Sequence, residues 1–439
     1  MNISHSKAID NRLLERSQLF NVHSKTIDVE NNTDKPFILP GEISPTAMSH
    51  NLNIKGMPAR WSLDTDRKKK VLDENDMSKY YFPFDLNSKK PTNNISDIVC
   101  KFTGVLSYSF KNNSALVDQY CLSPLGIIYF ILSMYLGTAD RNVREMQQYF
   151  GFSDDNIVFE ETMKLNKIIS PIFEITTIYV VSNKLRISKK RFPNVKVLGI
   201  NWKSPSKYIG RINNFISQAV NEQTNIVNEK MFSKNNNILV LNISKFNSSW
   251  KFPFDKKQTG TSIFNGFLPR KVKIMKMKNI VLDYFEDKTF KILELPYEDE
   301  VTSFGMIMPK IENLNITGVQ ISSLIKQLVS TSISQLVIPK FTGKSVVPIK
   351  DKLINVKIKF LNNKFFLTEM CDDRTRIKIS DIIHCSYISL DEGNQRKISF
   401  NNNLLFDENR SLPAIFMQSF FYYVRCIPTN TILLMGFYS

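Results

Sequence analysis

Glycine is scarce in this 439-residue chain, at 15 residues, and histidine scarcer still, at four. The first shortage shows in its motifs. There is no Walker-type phosphate loop, no GxGxxG after a strand and no GxSxG elbow. The second leaves little material for a Ser-His-Asp site. Five cysteines (Cys100, Cys121, Cys371, Cys385 and Cys426) form no CxxC pair, and no histidine stands at metal-site spacing from one of them. A structural zinc is therefore not expected, and neither is a cofactor. Their odd number and irregular spacing point to reduced thiols. No basic start followed by an apolar run opens the chain, so no signal peptide is visible. The longest apolar stretch, at 122–137, is too short for a membrane span. Together these absences favour an intracellular location.

Apolar side chains and positive charge are what the chain does have. It is 42% hydrophobic and 11% aromatic, with 32 phenylalanines, which is ample for a core and excludes global disorder. The formal net charge is +17. Residues 1–94 hold 14 Lys/Arg against 12 Asp/Glu and the remainder 44 against 29, so the excess lies in the body. A basic body attracts anionic surfaces without naming one. RKVKIMKMK (270–278) and IKDKLINVKIK (349–359) read as lysine-bearing strands that would give weak polyanion binding. Solvent-facing lysines on strands explain them equally well.

Residues 1–94 are polar, weakly periodic and punctuated by proline, and read as a mostly irregular N-terminal extension. From about 95 the pattern changes. Ile95, Val99, Phe102, Val105 and Leu106 recur on one helical face, with Asn94 or Ser96 available as cap. A buried helix follows Ser123-Pro124, and an amphipathic one is closed by Gly151. Short β-branched strands then dominate, ending in FYYVRCIP and NTILLMGFY. Helices first and strands later indicate an α+β fold in one large domain, 95–439. His384 follows the strand-like SDII and reads better as a satisfied buried histidine than as a general base. No enzymatic activity is expected.

The strand-rich half also carries a resemblance. The segments are CLSPLGIIYFILSMYLGTADRNVREMQQYFGF (121–152), LVLNISKFNSSWKFPFD (239–255), ILELPYEDEVTSFGMIMPK (292–310), VIPKF (337–341), SDIIHCS (380–386) and SFFYYVRCIPTNTILLMGFYS (419–439). In that order they resemble segments of the serpins (serine protease inhibitors). The resemblance implies a serpin-like fold with three β-sheets, about nine helices and an exposed reactive centre loop, working as a monomer on a protein partner such as a protease. Most of that family is secreted, the alternative to an intracellular site. In the family a cleaved loop inserts into the main sheet as an extra strand, dragging the protease with it. The resemblance places Ser123, Asn242 and His384 in the shutter beneath the sheet's opening, with Gly126 where a second serine is usual, and Trp250 at the breach where insertion begins.

SLDEGNQRKISFNNNLLFDENR (389–410) then occupies the reactive-loop position, because the 36 residues from His384 to Phe420 fit the family without a gap. Glu408 falls at the nominal scissile bond, flanked by Asp407 and Asn409, with Arg410 the bait of a shifted loop. Glu392 falls on the hinge glutamate. The family hinge continues with glycine, a small hydroxyl residue and alanines. Here Gly393 comes one position early and is followed by Asn394, Gln395, Arg396, Lys397, Ile398, Ser399 and Phe400. In an inserted strand one face would take Gln395, Lys397 and Ser399 and the other Arg396, Ile398 and Phe400. Burying an unpaired charge costs several kcal/mol, and each oversized side chain adds roughly 1–3 kcal/mol. Since about 1.4 kcal/mol is tenfold in rate, the hinge favours a non-inhibitory binding or scaffold protein. The alternative is a suicide inhibitor of a serine or Asp-directed cysteine protease, baited by Glu408, Asp407 or Arg410.

Overall fold

Asn94 accepts the Ser96 amide at 2.8 Å and so caps α1 (Ile95–Asn112), whose apolar stripe buries Ile98, Val99, Phe102 and Leu106. The structure is a computed structural model and describes residues 94–439, apart from 113–118, 139, 151–154, 188–194, 233–236, 311–317, 356–357, 359–360, 362–366, 372–373 and 394–405. The expected extension up to residue 93 and the Gly151 helix stop lie outside the described residues. Ser123 caps α2 (Pro124–Leu136), with proline in its first turn. Being apolar nearly all round, α2 is buried, packed against α1 and two strands of different sheets. Beyond it come α3 (Asp140–Phe150), α4 (Asp155–Ile169) and α5 (Ser206–Val220). The short α6 (Gly318–Ile325) and α7 (Lys350–Asn355) lie among the later strands.

Five strands form one sheet: β2 (Phe173–Ser182), β3 (Lys196–Ile200), β4 (Asn237–Phe246), β10 (Phe341–Pro348) and β11 (Lys378–Leu390). Their order is β10-β11-β4-β2-β3. Nine strands form the other: β1 (Gln119–Leu122), β5 (Gly260–Asn265), β6 (Pro269–Glu286), β7 (Phe290–Pro296), β8 (Thr302–Pro309), β9 (Val329–Pro339), β12 (Leu412–Ile415), β13 (Phe420–Cys426) and β14 (Thr431–Tyr438). Their order is β1-β14-β13-β8-β7-β6-β9-β12, with β5 also paired to β6.

The α+β class is as expected, while the counts differ. Among the described residues there are seven α-helices and two sheets, against about nine and three. The 18-residue β6 accounts for the sheets. It pairs with β5 over 269–274, with β9 over 274–284 and with β7 over 283–286, which makes two potential sheets continuous. The expected lysine strand at 270–278 lies in β6. Its counterpart at 349–359 is corrected: residues 350–355 are the helix α7. Pro348 ends β10, and Ile349 and Leu353, four residues apart, are both fully buried. Lys350 Nζ donates to the Ile379 and Ser380 carbonyls at 2.7 and 3.2 Å. Burial at helical spacing overrides the alternation of the lysines.

The five-stranded sheet is covered on both faces. One lies on the main core. The other carries Ile178, Val180, Leu239, Leu241, Ile243, Ile383 and Cys385 against Ile212, Ile216 and Val220 of α5. Strands buried on two sides need apolar residues at consecutive positions, which explains the runs ILVLNI in β4 and DIIHC in β11. Among the described residues no helix is long and apolar enough to cross a membrane, and no group of side chains could hold a metal ion.

Candidate functional site

The middle of the five-stranded sheet is a parallel seam. β11 pairs with β4 from Lys378 opposite Asn237 to Tyr387 opposite Lys245, and the chain leaves β11 directly into the loop segment. A segment turning back between them would run antiparallel to both, exchanging one parallel ladder for two antiparallel ones.

His384 on β11 faces Asn242 on β4 across this seam. Its Nδ1 donates to Asn242 Oδ1 at 2.8 Å and its Nε2 accepts the Ser123 amide at 3.0 Å, which fixes a neutral ring. Burial pushes its pKa down to about 3. Asn242 Nδ2 in turn donates to the Gly126 carbonyl at 3.0 Å and to Thr177 Oγ1 at 3.2 Å. Ser123 Oγ donates to the Leu433 carbonyl at 2.8 Å and accepts the Gly126 amide at 2.9 Å. The structure thus brings Ser123, Asn242 and His384 together, with both ring nitrogens engaged and none free to act as a base. Sequence reasoning missed Ser244. Its Oγ stands where a Cβ on Gly126 would have to go, buried without a hydrogen-bond partner among the described residues. Its place two residues after Asn242, on the same strand face, was the available signal.

At the end of the seam the start of the expected hinge, Glu392 and Gly393, is tied down. Glu392 is buried. Lys340 Nζ lies 2.6 Å from its Oε2, Thr259 Oγ1 donates to its Oε1 at 2.7 Å, and the Phe254 amide donates to its carbonyl at 3.0 Å. Burial pushes this carboxyl up, but the hydrogen bonds from Lys340 and Thr259 outweigh it and hold the pKa at about 2. Trp250 Nε1 donates to the Asp391 carbonyl at 2.7 Å, and its ring stacks on Tyr297 at 4.6 Å. Gly393 adopts φ +77°, and a Cβ there would lie 2.8 Å from Trp250 Cδ1. Only glycine meets both demands cheaply. Of the remaining hinge residues, Gln395, Arg396, Lys397 and Ile398 lie outside the described residues.

The expected bait residues form a turn. Asp407 Oδ1 accepts the Asn409 amide at 3.0 Å, capping a single 3-10 turn at Glu408–Arg410. The Asp407 amide donates to Ser332 Oγ on β9 at 2.9 Å, and Ser411 Oγ closes the turn on the Glu408 carbonyl at 2.8 Å. Asp407, Glu408, Asn409 and Arg410 are all exposed. The Arg410–Asp407 contact, at 3.7 Å with the arginine 89% exposed, contributes little. Peptides added to a partner's strand edge are extended, so this turn must unwind before a protease could read it in that way.

Residues 101–439 match the family model Serpin (serine protease inhibitor). An uncharacterised serpin-like protein of Acanthamoeba polyphaga mimivirus is 23% identical over 367 residues, covering 77% of this chain and 88% of the relative. Intracellular coagulation inhibitor 2 of Tachypleus tridentatus is 27% identical over 194 residues, 41% of this chain and 46% of the relative. Among solved structures, protease nexin-1 with heparin superposes with a TM-score of 0.65 at 18% identity, covering 77% of this chain and 97% of that one. A highly specific serpin of the insect Tenebrio molitor gives 0.63 at 17% identity, covering 78% and 97%.

Proposed function

The chain belongs to the serpin family, and from that premise we propose that it binds a protein partner without trapping a protease by strand insertion. The hinge sequence, set against the β4/β11 seam, carries this reading. Insertion must begin beside Tyr387 and Lys245. There the face toward α5 is open, with Lys245 and Ser389 exposed, while the opposite face lies over the core of His384, Ser386 and Ile388. The open face would admit one cation, but the two sets of alternating residues carry one each. Either Lys397 or Arg396 must therefore point into the core, at a cost of several kcal/mol unpaired. The capped turn at Glu408–Arg410 supports the same reading. All five cysteines are buried, their odd number and irregular spacing suit a reducing compartment, and we place the protein inside the cell.

The test is incubation with a panel of trypsin-like, Glu-directed and Asp-directed proteases, read on denaturing gels. The expected result is cleavage within 404–411 and no covalent complex. An SDS-stable complex would overturn the proposal in favour of inhibition through Glu408, Asp407 or Arg410, and the cleaved bond would say which. Polyanions are the second partner class. Lys271 and Lys273 stand exposed on one face of β6, and retention on heparin that falls steeply with salt would mark them.

A further inference from the structure

The end of the β5–β6 hairpin has an unusual surface. Gly266, Phe267 and Leu268 join Asn265 to Pro269, with Phe267 54% and Leu268 78% exposed in succession. The Phe267 ring only leans on Phe437, 5.9 Å away. On the hairpin's open face Ile263, 49% exposed, stands directly opposite Lys271, and Thr261 opposite Lys273. The inner face is closed by Phe264 and Arg270, whose guanidinium lies 5.5 Å from the Phe264 ring and 5.0 Å from that of Tyr438. Across residues 256–282 the chain carries seven Lys/Arg and no Asp or Glu. The neighbouring strands β9 and β12 add no charged residue.

A tip with two exposed apolar side chains in succession, backed over residues 256–282 by cations and no acidic side chain, fits a partner that is anionic at its surface and apolar beneath. We propose that the β5–β6 hairpin docks the protein on anionic lipid bilayers, Phe267 and Leu268 entering the headgroup boundary while Lys271 and Lys273 face the lipid phosphates. A protein partner would more often meet such side chains with a pocket and paired acids around them. A soluble polyanion would use the lysines and leave the apolar pair in water. The inference shares its lysines with the polyanion reading and adds the apolar tip, which that reading does not need.

The experiment is co-sedimentation of the full chain with vesicles of phosphatidylcholine alone, or with about 30% phosphatidylserine, at physiological salt. Binding to the anionic vesicles only is expected. It should weaken tenfold or more in Leu268→Ser, and about fivefold for each of Lys271→Ser and Lys273→Ser. Leu268→Trp should show a blue-shifted emission on those vesicles. Because Leu268 is exposed, these variants should melt with the parent. No sedimentation with anionic vesicles overturns the proposal, as does binding indifferent to Leu268→Ser. Retention on heparin without vesicle binding would overturn it too, while leaving the polyanion reading standing.

Discussion

Gly126 and Ser244 compete for the same space, because the Ser244 hydroxyl occupies the site of a side chain that position 126 lacks. Gly126→Ala should cost roughly 1–3 kcal/mol by overpacking. Ser244→Ala should be neutral or slightly stabilising, since it removes a buried hydroxyl with no partner among the described residues. The double variant should recover part of the loss, since the added Cβ would still lie 2.9 Å from Ser123 Oγ, and a denaturant-based cycle that is simply additive would refute the shared-space account. His384 gives a pH signature. Its unfolded imidazole titrates near 6.5 and the folded one near 3, so above 6.5 neither state takes a proton. Between 6.5 and 3 the unfolded state takes more, and stability falls as the pH drops. Glu392 behaves as depressed carboxyls do, its contribution complete above 4.5 and lost between 4.5 and about 2. Urea midpoints should therefore begin falling near pH 6.5, and His384→Gln should flatten the stretch from 6.5 to 4.5. That Ser123, Asn242 and His384 form one cluster was legible only through the resemblance, because the hydrogen bonds joining them span 142 and 261 positions. Ser244 had no motif to announce it.

At the scale of elements, the proposed binding role rests on the seam between β4 and β11 and on the sequence of the segment after it. Replacing the four misfit side chains (Arg396→Thr, Lys397→Ala, Ile398→Ala and Phe400→Ala) removes the charge and bulk that oppose insertion. If these are the obstacle, the rate of loop insertion should rise by about a hundredfold or more, seen as a covalent complex or as a gain in melting temperature after cleavage. A quadruple variant that still cleaves without either change would place the obstacle elsewhere, the capped turn at Glu408–Arg410 being next in line. Strands with apolar runs, such as β2, β4 and β14, were readable because burial on two faces leaves little choice of residue. The stretch 349–359 was misread because its lysines imitate a period of two, while Ile349 and Leu353 obey a helical period that only their burial exposes. The merging of two sheets through β6 was not readable either. Pairing partners along an 18-residue strand are set by tertiary packing, to which local propensity is blind.

For the whole molecule, the chain belongs to a family of protease inhibitors, and the proposal that it binds without inhibiting makes a prediction about cleavage. Cleavage within 404–411 should shift the melting temperature by less than about 5 °C, equivalent to about 4 kcal/mol or less at roughly 2.1 cal/mol/K per residue over a domain spanning 95–439. A much larger rise would show that the cut loop had entered the sheet. The five buried thiols make the native protein its own clock. Cys385 lies on the seam opposite Ile243, and burial pushes its pKa up to about 12, so it is closed to thiol reagents in the native packing. Its side chain lies on the face covered by α5, so its labelling rate in native buffer counts the moments when α5 lifts from the sheet around the seam, and mass spectrometry of the tagged peptides would separate that breathing from the global unfolding that frees Cys121 and Cys426.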